Sequence, residues 1–313
     1  MKKMLFVFNP NSGKAKIKNV LLNIIQVLSK GGYEITVYPT KFARDGYRHI
    51  LQNEGKYDVI ACSGGDGTVN ETVAAVLKFK GKKPPIAYIP SGTTNDFATS
   101  LNIPKDMVKA AKNIIDGRPK KIDVGLVNGK RTFNYVAAFG AFTKVSYETP
   151  QPLKNLFGHQ AYVVEGVKSL SELKPYHMRI ETDDIQLDNN FIYGMVSNTD
   201  SVGGMKGITG TGVDLQDGLF EVVLVKEIKS PLALQQLITA LITQNFDKSD
   251  LICSFKTKKI KFESDEPIKW TLDGEFGGEH NEAVFEVLHQ AVEFIVPTKD
   301  TKEIKEVIES VEE

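Results

Sequence analysis

The stretch Tyr57-Asp58-Val59-Ile60-Ala61-Cys62-Ser63-Gly64-Gly65-Asp66-Gly67-Thr68-Val69-Asn70-Glu71-Thr72-Val73-Ala74-Ala75-Val76-Leu77-Lys78-Phe79 decides the fold. Its opening, Tyr57 to Cys62, is a short apolar run of strand length, and Val69 to Phe79 is an apolar-rich segment of helix length. Between them lies Ser63 to Thr68, half of it glycine. A buried strand that turns through glycines into a helix is the repeating unit of an open, mostly parallel α/β sheet. Glycine lets such a turn bend sharply and approach a ligand closely. Amides at the helix start carry partial positive charge and can hold a phosphate. Thr68 adds a hydroxyl donor. Asp66 would repel a phosphate, so its place is beside a magnesium ion, or in a hydrogen-bonded network that orients one.

Working outward, the same alternation covers about the first 125 residues. Strands are predicted at Met4–Phe8, Tyr33–Tyr38, Ile86–Ile89 and Lys121–Leu126. Ile17, Leu21, Ile24, Ile25 and Leu28 fall on one helical stripe that Gly31 can cap. Further helices are predicted over Arg44–Asn53 and Asp106–Ile115. Two more loops follow strands, as the glycine turn does. Asn9-Pro10-Asn11-Ser12-Gly13-Lys14 lacks the spacing of a Walker A loop and reads as a second wall of a nucleotide cleft or as a simple turn. Pro90-Ser91-Gly92-Thr93-Thr94-Asn95-Asp96-Phe97 brings a second carboxylate, Asp96, toward Asp66. Loops at one end of one sheet converge on one crevice. Thr40, just past the second strand, belongs to the same rim or to an ordinary turn.

Beyond residue 126 the pattern changes to short β-like runs between Gly, Asp, Asn and Pro clusters. They are His177–Glu181, Phe191–Ser197, Leu219–Val225, Ile252–Glu263, Ile268–Leu272, Ala283–Leu288 and Val292–Val296, the signature of an antiparallel sandwich or barrel. Helices are predicted at Asn155–Leu173, Pro231–Leu241 and Thr301–Glu313. Two loops here carry acids. Asp273-Gly274-Glu275 follows a strand and reads either as a hairpin turn or as a proton acceptor and its neighbour in a metal network. Asp273 is then the candidate base. Asp214-Leu215-Gln216-Asp217-Gly218-Leu219 reads as a plain turn, or as a hard-cation loop using Asp217 and backbone carbonyls.

Composition narrows the class. Lysines and arginines number 39 and so do aspartates and glutamates, a formal balance of zero that argues against nucleic-acid binding by bulk basicity. Cys62 and Cys253 are far apart and in no metal-ligand spacing, as expected of buried thiols in a reducing compartment. No run approaches the ~18 apolar residues of a spanning helix. A substrate held in a bilayer would have to be reached from its surface. Lys14, Lys16, Lys18, Lys144, Lys154 and Lys168 read as basic contacts for it or as solvated helix faces, and Phe139, Phe142, Leu156 and Phe157 read as lipid-pocket residues or equally as core.

The five blocks taken together resemble the catalytic domain of diacylglycerol kinases, most closely the soluble bacterial enzymes. They are Asn9-Pro10 with Ser12-Gly13, Gly64 to Thr68 with Asn70-Glu71, Gly92 to Phe97, Asp217-Gly218, and Asp273-Gly274-Glu275. The resemblance runs from about residue 4 to about residue 296 and takes in Lys121–Gly125 and Val145–Pro150. It implies an α/β Rossmann-like nucleotide-binding domain (1–125, rejoined by a C-terminal helix at 297–313) and an antiparallel β-sandwich lipid-substrate domain (126–296). ATP contacts would come from Asn9 to Gly13, Thr40, Gly64, Gly65, Asp66, Gly67, Thr68 and Thr93. Asp66, Asp96 and Glu275 would surround catalytic Mg2+, and Asp273 or Glu275 would take the proton of a diacylglycerol hydroxyl. A second, structural magnesium would use the Asp217 side chain and the carbonyls of Asp214 and Leu219. The implied setting is the cytoplasm and, transiently, the inner membrane surface, and open β edges offer a route to a homodimer. The chain departs from the family pattern at Thr99, where relatives carry arginine, and at Gln216, where they often carry an acid. A sphingoid base, ceramide or polyprenol would suit the same chemistry. NAD kinases share Gly-Gly-Asp-Gly-Thr, and a non-catalytic nucleotide sensor would be expected to lack Asp96 or Asp273.

Overall fold

A computed structural model describes residues 1–140, 174–199, 201–202, 205–206, 213–243, 246 and 249–298. The helices expected at Asn155–Leu173 and Thr301–Glu313 lie outside the described residues, as do Phe142, Lys144, Val145–Pro150, Lys154, Leu156, Phe157 and Lys168. The chain divides into two compact units, Met1–Ile122 with Gln290–Glu313, and Asp123–His289.

The first unit is built on parallel strands β1 (Lys2–Phe8), β2 (Tyr33–Pro39), β3 (Val59–Gly64) and β4 (Ile86–Pro90), in the order β2-β1-β3-β4. Every residue of β3 and β4 is buried, which is why both read as unbroken apolar runs. The helices are α1 (Ile17–Lys30), α2 (Asp45–Gln52), α3 (Asp66–Leu77), α4 (Asp96–Ser100) and α5 (Met107–Asp116). α1 packs with α5 and α2 with α3, as helices on the two faces of a doubly wound sheet do. Ile17, Ile24 and Leu28 bury the predicted stripe of α1, and Asp106 caps α5 by accepting the Lys109 amide at 2.8 Å. The sequence reading has no helix at α4, whose five residues are too few for a periodic signal.

The second unit is antiparallel. It contains β5 (Arg118–Val127, which enters from the first unit), β6 (Arg131–Phe133), β7 (Val136–Gly140), β8 (Tyr176–Glu181) and β9 (Gln186–Ser197). Two-residue strands β10 (Ser201–Val202) and β11 (Met205–Lys206) pair with each other. There follow β12 (Phe220–Lys226), α6 (Pro231–Thr243), β13 (Ile252–Thr257), β14 (Lys259–Leu272) and β15 (Glu275–Val296). Registers place β7 and β8 end to end between β9 and β14, so two short strands do the work of one long one. The core closes around rings: Phe133 stacks on Phe220 of β12 and meets Phe285 of β15 edge-on, and Trp270 packs on Phe139, Phe262 and Phe285. Strands from distant places in the ladder meet there, as a sheet folded over a shared core requires.

Several boundaries differ from expectation, β9 beginning at Gln186 and β6 and β7 having no predicted run, and two of the differences have a local cause. One run was expected at Ile252–Glu263, but the chain breaks it at Lys258, where Thr257 Oγ donates to the Lys259 carbonyl at 2.8 Å. The reverse holds for β15: two runs were expected, and one ladder passes through both, with Gln290 in a left-handed kink (φ 48°). That kink marks the return to the first unit, ahead of the expected position 297, because Phe294 pairs in parallel with Ile86 of β4.

Candidate active site

In the first unit three loops leave the C-terminal ends of β1, β3 and β4 and are tied to each other by backbone. Asn9 N–H donates to the Ser63 carbonyl (2.9 Å), and Ser91 and Gly92 N–H donate to Gly64 O (2.9 and 3.1 Å). Glycine is required where they touch. A Cβ on Gly92 would stand 2.4 Å from Gly65 Cα, and one on Gly13 (φ 51°) would stand 1.9 Å from the Ser91 carbonyl oxygen. At these positions glycine serves the contact of loop against loop. Asn9 Oδ1 accepts the Asn11 N–H at 3.0 Å and rounds the turn through Pro10. Lys14 and Ala15 follow with φ of 66° and 58°, two non-glycine residues in the left-handed region. Thr40 sits on the same rim through its N–H to the Phe8 carbonyl, 2.9 Å.

No side chain caps the start of α3 at Gly65, so that helix end is open to an anion. Asp66 and Gly67 begin the helix there. Thr68 lies against Gly64, where a Cβ would meet the threonine hydroxyl at 2.1 Å. Asp66 Oδ1 accepts the Phe97 N–H at 3.3 Å, which joins α3 to α4. Asp96, the first residue of α4, is 3 % exposed. Thr93 is exposed at the tip of the loop.

Two organisers of this site escape the sequence reading. Tyr88, inside β4, sets its buried hydroxyl 3.2 Å from both Gly64 O and Asn95 Oδ1. Burial, then the charges of Asp66, Cys62 and Asp96, push its phenol well above the ordinary tyrosine range, so it remains a neutral hydrogen-bonding group. Asn95 takes a left-handed backbone (φ 56°), accepts Gly92 N–H at 2.9 Å and donates to Gly92 O at 2.9 Å. Asparagine tolerates that conformation, which is the local reason it precedes Asp96. The Asp66 and Asp96 carboxylates both act on this one phenol. Such hard oxygen donors suit a magnesium ion that also holds phosphate oxygens.

Beside this rim, Phe42 is 58 % exposed. The Arg48 guanidinium lies 5.6 Å over its ring and that of Arg44 4.9 Å over Tyr47. Lys41 is exposed next to it, and Arg44 N–H donates to Glu71 Oε1 at 2.7 Å.

In the second unit Asp273-Gly274 forms the two-residue turn between β14 and β15, both residues left-handed (φ 50° and 82°). The hairpin reading of this pair is therefore correct, and the acid does more. Asp273 is 6 % exposed. Its Oδ2 accepts Asn134 N–H (2.7 Å) and its Oδ1 accepts those of Tyr135 and Val136 (3.0 and 3.1 Å). Both oxygens thus anchor the segment before β7. Glu275 is different: its side chain is 67 % exposed, 4.0 Å from Arg131, whose guanidinium also donates to Phe276 O at 2.6 Å. Asn134 Oδ1 is buried with no hydrogen-bond partner among the described residues, a group with no sequence signal of its own.

The turn Asp214–Leu219 is closed by protein groups. Asp214 Oδ1 accepts Gln216 N–H at 3.1 Å, and Asp217 Oδ1 accepts Leu219 N–H at 3.0 Å. The other Asp217 oxygen faces the Lys256 ammonium at 3.1 Å. That ammonium also stands 3.0 Å from Glu221, whose carboxyl burial pushes up to about 7. A cation already faces Asp217, so the expected magnesium set of Asp214, Asp217 and Leu219 does not fit this loop. Among the described residues no group of three acidic, histidine or cysteine side chains could hold a metal.

Comparisons with known proteins agree with one another. Residues 3–127 match the family model described as diacylglycerol kinase catalytic domain, and residues 138–296 the one described as YegS C-terminal NAD kinase beta sandwich-like domain. The chain is 33 % identical over 281 residues to a protein named diacylglycerol kinase from Bacillus subtilis strain 168, covering 89 % of this chain and 91 % of that one. It is 34 % identical over 298 residues to one of the same name from Staphylococcus epidermidis strain RP62A, covering 95 % and 92 %. A crystal structure from Bacillus anthracis str. Sterne matches with TM-score 0.79 at 25 % identity, over 95 % of this chain and 96 % of that one. Another, described as a diacylglycerol kinase from the same organism, matches with TM-score 0.74 at 24 % identity, over 95 % and 97 %.

Proposed function

The chain belongs to the diacylglycerol kinase catalytic-domain family, and from that premise we propose that it transfers the γ-phosphate of ATP to the hydroxyl of diacylglycerol, giving phosphatidic acid. As a member it is a lipid kinase that uses ATP. The named substrate and the residue roles are our reading. The observation that carries it is the set of three loops interlocked through backbone hydrogen bonds, with Asp66 tied to the helix that Asp96 begins by accepting the Phe97 N–H.

In this reading the phosphates lie on the open start of α3, held by Gly64 to Thr68, with Asn9 to Gly13, Thr40 and Thr93 around the nucleotide. Asp66 and Asp96 would hold Mg2+, which would supply charge neutralisation at the phosphate oxygens. The lipid oxygen attacks the γ-phosphorus as the bond to the bridging oxygen breaks, and the hydroxyl proton passes to a carboxylate. Either acid of the Asp273-Gly274-Glu275 turn was open as acceptor. The three amide bonds on Asp273 favour Glu275, whose side chain is exposed, and leave Asp273 to position it. The reaction needs Glu275 at the lipid hydroxyl while the nucleotide is bound.

No helix among the described residues is long and apolar enough to cross a membrane. We assign approach to the lipid to the exposed Phe42 with Lys41, Arg44 and Arg48, an aromatic flanked by cations that suits an anionic interface. Lys14, Lys16 and Lys18 are exposed as well and remain candidates with this patch, while positions 144, 154 and 168 are not described.

The test is transfer from labelled ATP to a panel of diacylglycerol, ceramide, a sphingoid base, a polyprenol and NAD in mixed micelles. Diacylglycerol should be labelled most strongly. Phe42→Ala should weaken labelling in anionic vesicles and spare a short-chain, water-dispersed diacylglycerol. Labelling of NAD alone would replace this reading with that of a soluble-substrate kinase.

A further inference from the structure

We propose that the turn Asp214–Leu219 is a metal-free joint, closed by the Lys256 ammonium in the place where a structural divalent cation would sit. The register of the sheet delivers the ammonium. Lys256 on β13 is paired directly with Glu221 on β12, and β12 begins immediately after the turn. From there Nζ reaches Asp217 Oδ2 at 3.1 Å and Glu221 Oε1 at 3.0 Å. Glu221 is 3 % exposed. A buried carboxylate of this kind needs a counter-charge close by.

Protein groups hold other parts of the turn as well. Gly218 N–H donates to Asp123 Oδ2 (2.7 Å), and Asp123 N–H returns to Leu215 O (2.8 Å). The His289 ring reaches Gln216 O at 2.9 Å. Gly218 is left-handed (φ 74°), and a Cβ there would stand 3.2 Å from the His289 ring. A divalent ion on Asp217 would have to displace Lys256 or stand beside it, cation against cation, and removing Lys256 would strand Glu221. Gln216 supplies no negative ligand to offset that repulsion. The second unit therefore holds this joint without divalent metal.

Thermal unfolding of the full chain without nucleotide tests this. The wild-type midpoint should be unchanged by a chelator and by millimolar Mg2+ or Ca2+. Lys256→Met should lower it by about 5 °C, and Lys256→Arg should preserve most of it. If Lys256→Met does not fold, the wild-type and Lys256→Arg measurements decide. A metal response of the wild type that survives in Asp217→Asn lies elsewhere and supports the proposal. A response that disappears in Asp217→Asn overturns it, as does a Lys256→Met midpoint equal to wild type. Unfolding is the readout, so this result is independent of whether diacylglycerol is the substrate.

Discussion

At the scale of single residues, two carboxylates one glycine apart do opposite work. Asp273 holds three amides with two oxygens, while Glu275 faces solvent beside Arg131. Asp273→Asn would turn an amide donor toward backbone donors. It should therefore cost about 2 kcal/mol of stability and lower activity with it. Glu275→Gln should change the unfolding midpoint by an amount equivalent to less than about 0.5 kcal/mol. Denaturant unfolding of both variants checks the contrast, and equal stability losses would contradict it. The acids were legible because motif spacing marks them. Tyr88 and Asn95 were not, since a hydroxyl inside an apolar strand and one amide in a polar loop have no periodic signature. Lys256 was passed over for a similar reason: a lone lysine in a strand reads as a solvated face until its cross-strand partner, Glu221, is known.

At the scale of elements, the nucleotide-side loops owe their arrangement to close backbone contact. Gly92→Ala should force Gly92 and Gly65 apart, since the new Cβ would lie 2.4 Å from Gly65 Cα. We expect a loss of about 1–3 kcal/mol and a fall in kcat/KM of about tenfold or more. Gly81→Ala meets only the far end of Glu54, at 3.7 Å, and should be close to neutral in the same assays. A Gly92→Ala enzyme with wild-type kcat/KM would show that the loops do not depend on this contact. Most strands and helices of the first unit were legible, because fully buried parallel strands read as apolar runs and α1 has a clean stripe. What was lost lay below the length that periodicity can register, as with α4 and β6, or depended on pairing. The continuity of β15 through Gln290 is visible only in its ladder.

At the scale of the whole molecule, the proposed reaction takes ATP from the α/β unit and a proton acceptor from the antiparallel unit. A sequence can show that five blocks occur in order, and their order is what the family resemblance rests on. It cannot show that one acid is spent on amides, or that a lysine faces the expected metal ligand, because both depend on folded registers. The central claim is that Glu275 takes the proton of the lipid hydroxyl while ATP is held by the first unit. The most direct measurement is single-turnover phosphate transfer from labelled ATP to diacylglycerol by wild type and by Glu275→Gln, with ATP affinity measured in parallel. The account predicts phosphatidic acid from the wild type, a rate about 10²–10⁴-fold lower for Glu275→Gln, and unchanged ATP affinity. Transfer by Glu275→Gln at the wild-type rate would contradict it.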